Sequence, residues 1–216
     1  CVVAADFDRD GDLDLFVGGR SRPQHYPEGD ASYLLENRGG RFIDVTEQKA
    51  PGLRKIGLVN AALWTDANND HQLDLLLVGE WMPITVFLNT GSGLRNATAD
   101  LNLEKTVGWW NSLQASDLNQ DGKTDFVLGN HGINSRYRTT SESPLSIYVN
   151  DFGNYGNRNA VITVTESGKE YPIHPKDDIV MQLPELKKRY LLYQDYAKAS
   201  IDEIFSRESL KNAEKH

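Results

Sequence analysis

The chain has a single cysteine, Cys1, among 216 residues, so no internal disulfide is available to it. It has no uninterrupted run of about 18 apolar residues, which leaves no candidate for a membrane-spanning helix. Its five histidines are scattered and none forms a His-Glu-x-x-His pair for zinc. No Gly-x-Ser-x-Gly elbow is present, and the one thiol sits at the first residue, a poor place for a nucleophile. Positive charge is also in short supply. Lys and Arg number 23 against 31 Asp and Glu, a net charge of −8, which argues against a nucleic-acid backbone as partner. No signal peptide is visible, and Cys1 reads as an excised boundary rather than a lipid-modified residue, because strand-like sequence begins at once.

Acidic residues, by contrast, are abundant and ordered. One nine-residue loop is written three times: Asp6-Phe-Asp-Arg-Asp-Gly-Asp-Leu-Asp14, Asp66-Ala-Asn-Asn-Asp-His-Gln-Leu-Asp74 and Asp117-Leu-Asn-Gln-Asp-Gly-Lys-Thr-Asp125. Oxygen-bearing side chains fall at positions 1, 3, 5 and 9 of every copy. Such a density of carboxylates repels itself unless a cation is present, and a hard divalent ion with oxygen ligands, most simply Ca²⁺, is the natural partner. A single copy would read equally well as an acidic turn; three in register favour ions, up to three of them. Position 7 varies (Asp12, Gln72, Lys123), as expected if only its backbone carbonyl matters. Position 6 must turn sharply. It is Gly11 and Gly122 in two copies but His71 in the second, where strain is expected. Charge count and that strain rank the sites in affinity as one, three, two.

The loops are not EF-hands. Position 12, which should be Glu, is Val17, Leu77 and Leu128. Each loop leads instead into a short apolar run closed by Gly or Asn, which predicts a buried strand. Each unit then has a second half: Tyr33–Asn37 and Phe42–Thr46, Ile84–Asn89 with a Gly-rich turn, and Leu145–Asn150. About four antiparallel strands per unit, at periods of 60 and 51 residues, predict an all-β fold, a partial β-propeller of four-stranded blades over residues 1–175. The stretch 151–159 resembles a fourth loop that has decayed, with Gly153 and Tyr155 where ligands should be. Residues 176–216 change period and predict a C-terminal helical insertion or cap. It comprises a short helix at Lys176–Leu183, a second from Glu185 to about Ala199 with Leu186, Tyr190, Tyr193 and Ala197 on one face, and a third begun by the capping box Ser200-Ile-Asp-Glu203. The aromatic stripe on the second helix reads as core.

Two adjacent tryptophans, Trp109 and Trp110, sit on a predicted strand and face opposite sides. Either both pack between blades, or one is exposed and forms a sugar- or protein-binding platform that Trp81 and Tyr137 join.

These loops with their flanking strands resemble the FG-GAP/VCBS repeats of integrin-alpha-like propellers. The wider chain is similar to bacterial secreted proteins of the cartilage-acidic-protein type, which are associated with ASPIC/UnbV domains. Gly108-Trp-Trp-Asn-Ser112, Gly129-Asn-His-Gly-Ile-Asn-Ser135 and Tyr193-Gln-Asp-Tyr-Ala-Lys-Ala199 carry that second likeness. The resemblance implies metal contacts at Asp6, Asp8, Asp10, Asp12 and Asp14, at Asp66, Asn68, Asp70, Gln72 and Asp74, and at Asp117, Asn119, Asp121, Lys123 and Asp125. It also implies an extracellular or cell-envelope location, further blades in a parent protein, and a role in adhesion or binding to a protein or glycan. Loops this simple work at about 0.1–1 mM Ca²⁺, which also points outside the cytosol. The expected function is therefore a non-catalytic, calcium-stabilised binding module. The alternative is a propeller part of a polysaccharide-degrading lyase or hydrolase, since carboxylate pairs are easily found in so acidic a chain.

Overall fold

Each acidic loop closes a β-hairpin. In the computed structural model, which describes residues 1–23, 25–132, 135, 137, 139–140 and 142–216, β1 (Val2–Ala5) pairs antiparallel with β2 (Asp14–Val17), Ala5 opposite Asp14. The sheet continues through β3 (Tyr33–Asn37) to β4 (Phe42–Asp44), in the order of the chain, and is followed by a short helix α1 (Thr46–Lys49). The plan then repeats. β5 (Leu58–Thr65) and β6 (Asp74–Met82) flank the second loop, with Thr65 opposite Asp74, and β7 (Thr85–Asn89) and β8 (Leu94–Asn96) complete a second four-stranded meander. The third loop joins β9 (Gly108–Ser116) to β10 (Asp125–Asn130), with Ser116 opposite Asp125. β9 also pairs with the end of β6, at Glu80–Trp109 and Met82–Gly108.

Burial explains why β6 reads as unbroken apolar sequence. Leu75 and Leu77 belong to one core cluster with Phe7, Phe16, Leu34, Val59 and Phe87, while Leu76 and Val78 belong to another with Val86 and Leu113. Alternate side chains leave opposite faces of a strand, so a strand covered on both faces loses its polar alternation. Each fully buried leucine contributes roughly 1.5–3 kcal/mol. Gly79 permits close packing beside it: a Cβ there would lie 1.9 Å from the Leu58 carbonyl oxygen.

The chain forms two compact units, residues 1–131 and 132–216. In the second, β11 (Leu145–Asn150), β12 (Asn159–Glu166), β13 (Lys169–Pro172) and β14 (Glu214–Lys215) form an antiparallel sheet in the order β13-β12-β11-β14. Five short helices lie between β13 and β14 in the chain: α2 (Lys176–Gln182), α3 (Leu186–Arg189), α4 (Tyr193–Ala197), α5 (Ile201–Ile204) and α6 (Arg207–Lys211). From these helices and the residues that cap them, buried Ile179, Leu183, Leu186, Tyr196, Ile201 and Phe205 share a core with Tyr148 and Val161 of the sheet.

Two expectations are corrected. Leu145–Asn150 was expected to complete the third unit. It pairs instead with β12 and β14, with Asn150 opposite Asn159. Asp151 follows Asn150 immediately, leaving no room for the glycine turn that follows Asn37 and Asn89, so the strand opens the next hairpin across residues 151–158. The helix expected from Glu185 to Ala199 is broken after Arg189, where Tyr190 adopts φ −112° and ψ 87°. The Lys176 ammonium donates to the Leu191 carbonyl, backbone that one long helix would have used, and the Tyr190 hydroxyl donates to the Glu203 carbonyl. The break turns Tyr196 and Ala199 inward and leaves Tyr193 59 % exposed. The capping box at Ser200 forms as expected, Glu203 Oε2 accepting from the Ser200 amide at 2.8 Å.

Candidate functional site

The three loops share one hydrogen-bond scheme. The position-1 carboxylate accepts from the backbone amides of positions 5 and 6: Asp6 from Asp10 and Gly11 at 3.0 and 3.1 Å, Asp66 from Asp70 and His71 at 3.1 and 2.8 Å, and Asp117 from Asp121 and Gly122 at 3.1 and 2.9 Å. The position-5 carboxylate accepts from the position-7 amide in each, at 2.9, 2.8 and 2.9 Å. Two residues per loop adopt the left-handed region. Position 6 does so as expected, His71 at φ 67° beside Gly11 at 96° and Gly122 at 82°. Position 4 was not anticipated: Arg9, Asn69 and Gln120 stand at φ 63°, 62° and 62°.

His71 therefore carries the strain that glycine avoids, about 1 kcal/mol. If that strain is taken up only when the ion binds, His71→Gly tightens calcium binding at the second loop by about fivefold; calorimetry showing unchanged or weaker binding at that site would count against the ranking of sites.

Position 9 does more than close the loop. Asp14 is fully buried and accepts from Phe7 N at 3.2 Å and Asn37 N at 2.8 Å. Asp74, also fully buried, accepts from Ala67 N and Asn89 N at 2.9 and 2.7 Å. The asparagine ending each third strand replies through its own amide, Asn37 to the Leu13 carbonyl and Asn89 to the Leu73 carbonyl, both at 3.2 Å. This explains the recurrent Asn before the glycine turn. In the third loop Asp125 accepts from Leu118 N at 3.0 Å.

The first loop fits a cation on independent grounds. Oxygens of Asp6, Asp8 and Asp14 all lie within 4.8 Å of one another, the one such group among the described residues. Asp8 Oδ1 is buried and has no hydrogen-bond partner, an arrangement that is costly without a counter-charge. Burial, and then the neighbouring Asp10 and Glu36, push the Asp8 carboxyl above its ordinary range; burial does the same to Asp14 and Asp74. Lys49 and Arg9 line a cavity of about 200 Å³ beside Asp8.

In the other two loops an amide stands at position 3. Asn68 Nδ2 donates to Asp70 Oδ2 at 2.9 Å and Asn119 Nδ2 to Asp121 Oδ2 at 3.2 Å. The bond from Asn68 holds the Asp70 carboxyl below its usual range. The position-7 side chains differ as expected: Asp12 accepts from Gly39 N at 3.3 Å, Gln72 lines the cavity, and Lys123 is exposed. Arg9 reaches from the first loop to the His71 carbonyl of the second.

Of the aromatic candidates, the structure brings two together. Trp81 and Trp109 lie with ring centroids 5.7 Å apart, and Trp109 stacks on His131 at 5.2 Å. Trp110 faces the other way: its Nε1 donates to the Thr106 carbonyl at 2.9 Å and its ring packs with Leu113, Phe126 and Leu128. Tyr137 belongs to the second unit. Ile133 and Asn134 of the Gly129–Ser135 stretch lie outside the described residues.

Around Trp81 is a polar network that sequence reasoning missed. Glu80, 1 % exposed, holds Arg20 through Nε and Nη2 at 2.8 and 2.6 Å, accepts from the Tyr26 hydroxyl at 2.9 Å, and is approached by Asn60 Nδ2 at 3.4 Å. Trp81 Nε1 donates to Tyr26 at 2.7 Å. Burial is the largest influence raising the Tyr26 phenol far above its ordinary value. The missed signal was faint: one ionisable residue in the same place after each loop.

The pattern of the FG-GAP-like repeat matches the chain twice, over residues 6–77 and 66–128. The two copies overlap on the second loop, so each runs from one acidic hairpin into the next. Together they span more than half of the 216 residues, and the chain belongs to the FG-GAP-like repeat family. No curated protein matches it.

Proposed function

We propose that the chain is a calcium-stabilised, propeller-type binding module that works outside the cytosol, engages a protein or glycan, and carries out no chemistry itself. Asp8 Oδ1, buried and unpartnered within a three-carboxylate cluster, is the observation that carries this reading. Asp6, Asp8, Asp10 and Asp14 would hold the ion in the first loop, with the Asp12 carbonyl. Asp66, Asn68, Asp70 and Asp74 with the Gln72 carbonyl, and Asp117, Asn119, Asp121 and Asp125 with the Lys123 carbonyl, would hold the others. Three Ca²⁺ ions would bring the net charge of −8 close to −2, removing most of the self-repulsion. Further blades of a parent protein would close the propeller, with residues 1–175 as its blade segment and 176–216 as a helical insertion. The finer likeness to secreted proteins of the cartilage-acidic-protein type belongs to the same proposal.

Calcium titration tests it directly. A ligand that binds only the folded state, at about one to ten times its dissociation constant, adds about 0.4–1.4 kcal/mol per site. The melting temperature is therefore expected to rise by several degrees between excess EDTA and 1 mM free Ca²⁺. No binding heat together with an unchanged melting temperature would overturn the calcium reading.

A further inference from the structure

Taking the first Asp of each loop as position 1, position 15 is Arg20, Glu80 and His131 in the three copies. All three are ionisable, and all three lie past the apolar run that succeeds the loop. The fold gathers them. Arg20 pairs with Glu80 at 2.6 Å. Glu80 lies opposite Trp109 in the β6–β9 ladder, and the His131 amide donates to the Trp109 carbonyl at 2.8 Å. From exposed His131 to Arg20, whose side chain is 56 % exposed, runs a continuous row: His131 on Trp109, Trp109 beside Trp81, Trp81 to Tyr26, Tyr26 to Glu80, and Glu80 to Arg20.

Three bulges shape this end of the sheet. The ladder skips Asn60 in β5, Trp81 in β6 and Asn111 in β9. Asn60 and Asn111 each stand six residues before the next loop's first Asp, so the device belongs to the repeat. Bulges turn a side chain out of the regular pleat and gather beside binding sites. Trp81 itself sits at φ 56°, a conformation that costs a bulky residue energy and is kept where the surroundings require it.

The chemistry at this end is specific. Glu80 fixes the Arg20 guanidinium through Nε and Nη2, which leaves Nη1 outside that pair in a set orientation. A fixed, planar guanidinium recognises carboxylates. Along the row from it stand the half-buried indole rings and exposed His131, and exposed Asn111 donates its amide to the Trp109 carbonyl at 3.4 Å. Aromatic faces take the C–H face of a pyranose, and planar amide and guanidinium groups take its polar edge. Because Glu80 already offsets the Arg20 charge, contact geometry rather than long-range attraction selects the ligand.

We propose that Arg20, His131, Trp81, Trp109 and Asn111 form a binding site for a uronate-bearing glycan, with the sugar carboxylate on Arg20 and a pyranose ring along the Trp109–His131 row. This rests on the reading of the chain as a binding module and names the ligand class. The test is calorimetry and tryptophan fluorescence at fixed free Ca²⁺, with hyaluronan and chondroitin hexasaccharides as acidic probes and cellohexaose as the neutral one. An acidic hexasaccharide is expected to bind and change the fluorescence, and cellohexaose to bind at least tenfold more weakly. His131→Ala and Arg20→Lys, the latter keeping a cation against Glu80, are expected to weaken acidic-probe binding at least tenfold while keeping the calcium-dependent rise in melting temperature. Binding that both variants leave unchanged, or tighter binding of cellohexaose, overturns the assignment. So does the absence of binding by any probe in a protein that calcium still stabilises, a result that leaves the calcium-module reading standing.

Discussion

Asp14→Ala is expected to destabilise the protein by about 3 kcal/mol with or without calcium, whereas Asp8→Asn stabilises the calcium-free protein and weakens calcium binding at the first loop. Asp14 uses both carboxylate oxygens on backbone amides, those of Phe7 and Asn37, in a fully buried position. Truncation strands two buried donors at about 1–3 kcal/mol each, partly relieved by water. Asp8 is the opposite case. Its Oδ1 has no partner, and burial and like charges raise its carboxyl above the ordinary range. A raised carboxyl binds protons more readily in the folded than in the unfolded state. Its charge therefore opposes folding above the folded value, and the penalty fades as pH falls toward the ordinary value. Asparagine mimics the protonated form and reproduces the second and third loops, where the position-3 amide donates to the position-5 carboxylate. Bound calcium inverts the sign, since the carboxylate then faces a cation. The expected loss of affinity is on the order of tenfold, about 1.4 kcal/mol. Thermal scans in EDTA and in calcium, with calorimetry, separate the two variants; an Asp8→Asn protein less stable in EDTA would refute the argument.

Arg20→Ala is expected to cost more than Glu80→Gln, although each breaks the same ion pair. The two partners differ in solvation: the Arg20 side chain is 56 % exposed and that of Glu80 2 %. Removing the arginine leaves a buried carboxylate to the Tyr26 hydroxyl and the Asn60 amide, and an uncompensated buried charge costs about 3–5 kcal/mol. Replacing the glutamate by its amide leaves an arginine that water reaches, and retains an acceptor for Tyr26, so the loss is about 1–2 kcal/mol. Urea unfolding of the two variants at pH 7 measures the difference; equal losses would show that Glu80 is not desolvated as the structure has it.

The acidic hairpins were legible because their signal repeats. An oxygen at four fixed positions, a glycine at the sixth and a closing asparagine appear more than once, and one local hydrogen-bond scheme accounts for them all. The capping box at Ser200 was legible because it too is local: Ser200 and Glu203, three residues apart, satisfy each other. The features that escaped notice depend on distant partners. The pairing of Leu145–Asn150 is set by which strand lies across the next loop, and the break after Arg189 is held by bonds from Lys176 and to Glu203. Neither leaves a periodic trace. The Arg20–Glu80–His131 row was hidden differently. Its members are different amino acids at one repeat position, so each looks like an ordinary strand-end charge until bulges and pairing bring them together.

The fourth hairpin separates the turn from its cargo. Asp151 accepts from Tyr155 N and Gly156 N at 2.9 and 2.7 Å, and Asn154 and Gly156 stand at φ 55° and 79°, although Gly153 and Tyr155 offer no carboxylates. The loop's shape is thus set by its first carboxylate and its two left-handed residues, and does not need the carboxylates at positions 3 and 5. A lineage of such repeats is free to change its acidic positions one repeat at a time without losing the turn, and to restore them by point substitution. The return path has an order, however. A side chain at Gly153 would meet the Tyr155 ring at 2.4 Å, so the tyrosine has to yield before an aspartate enters at position 3.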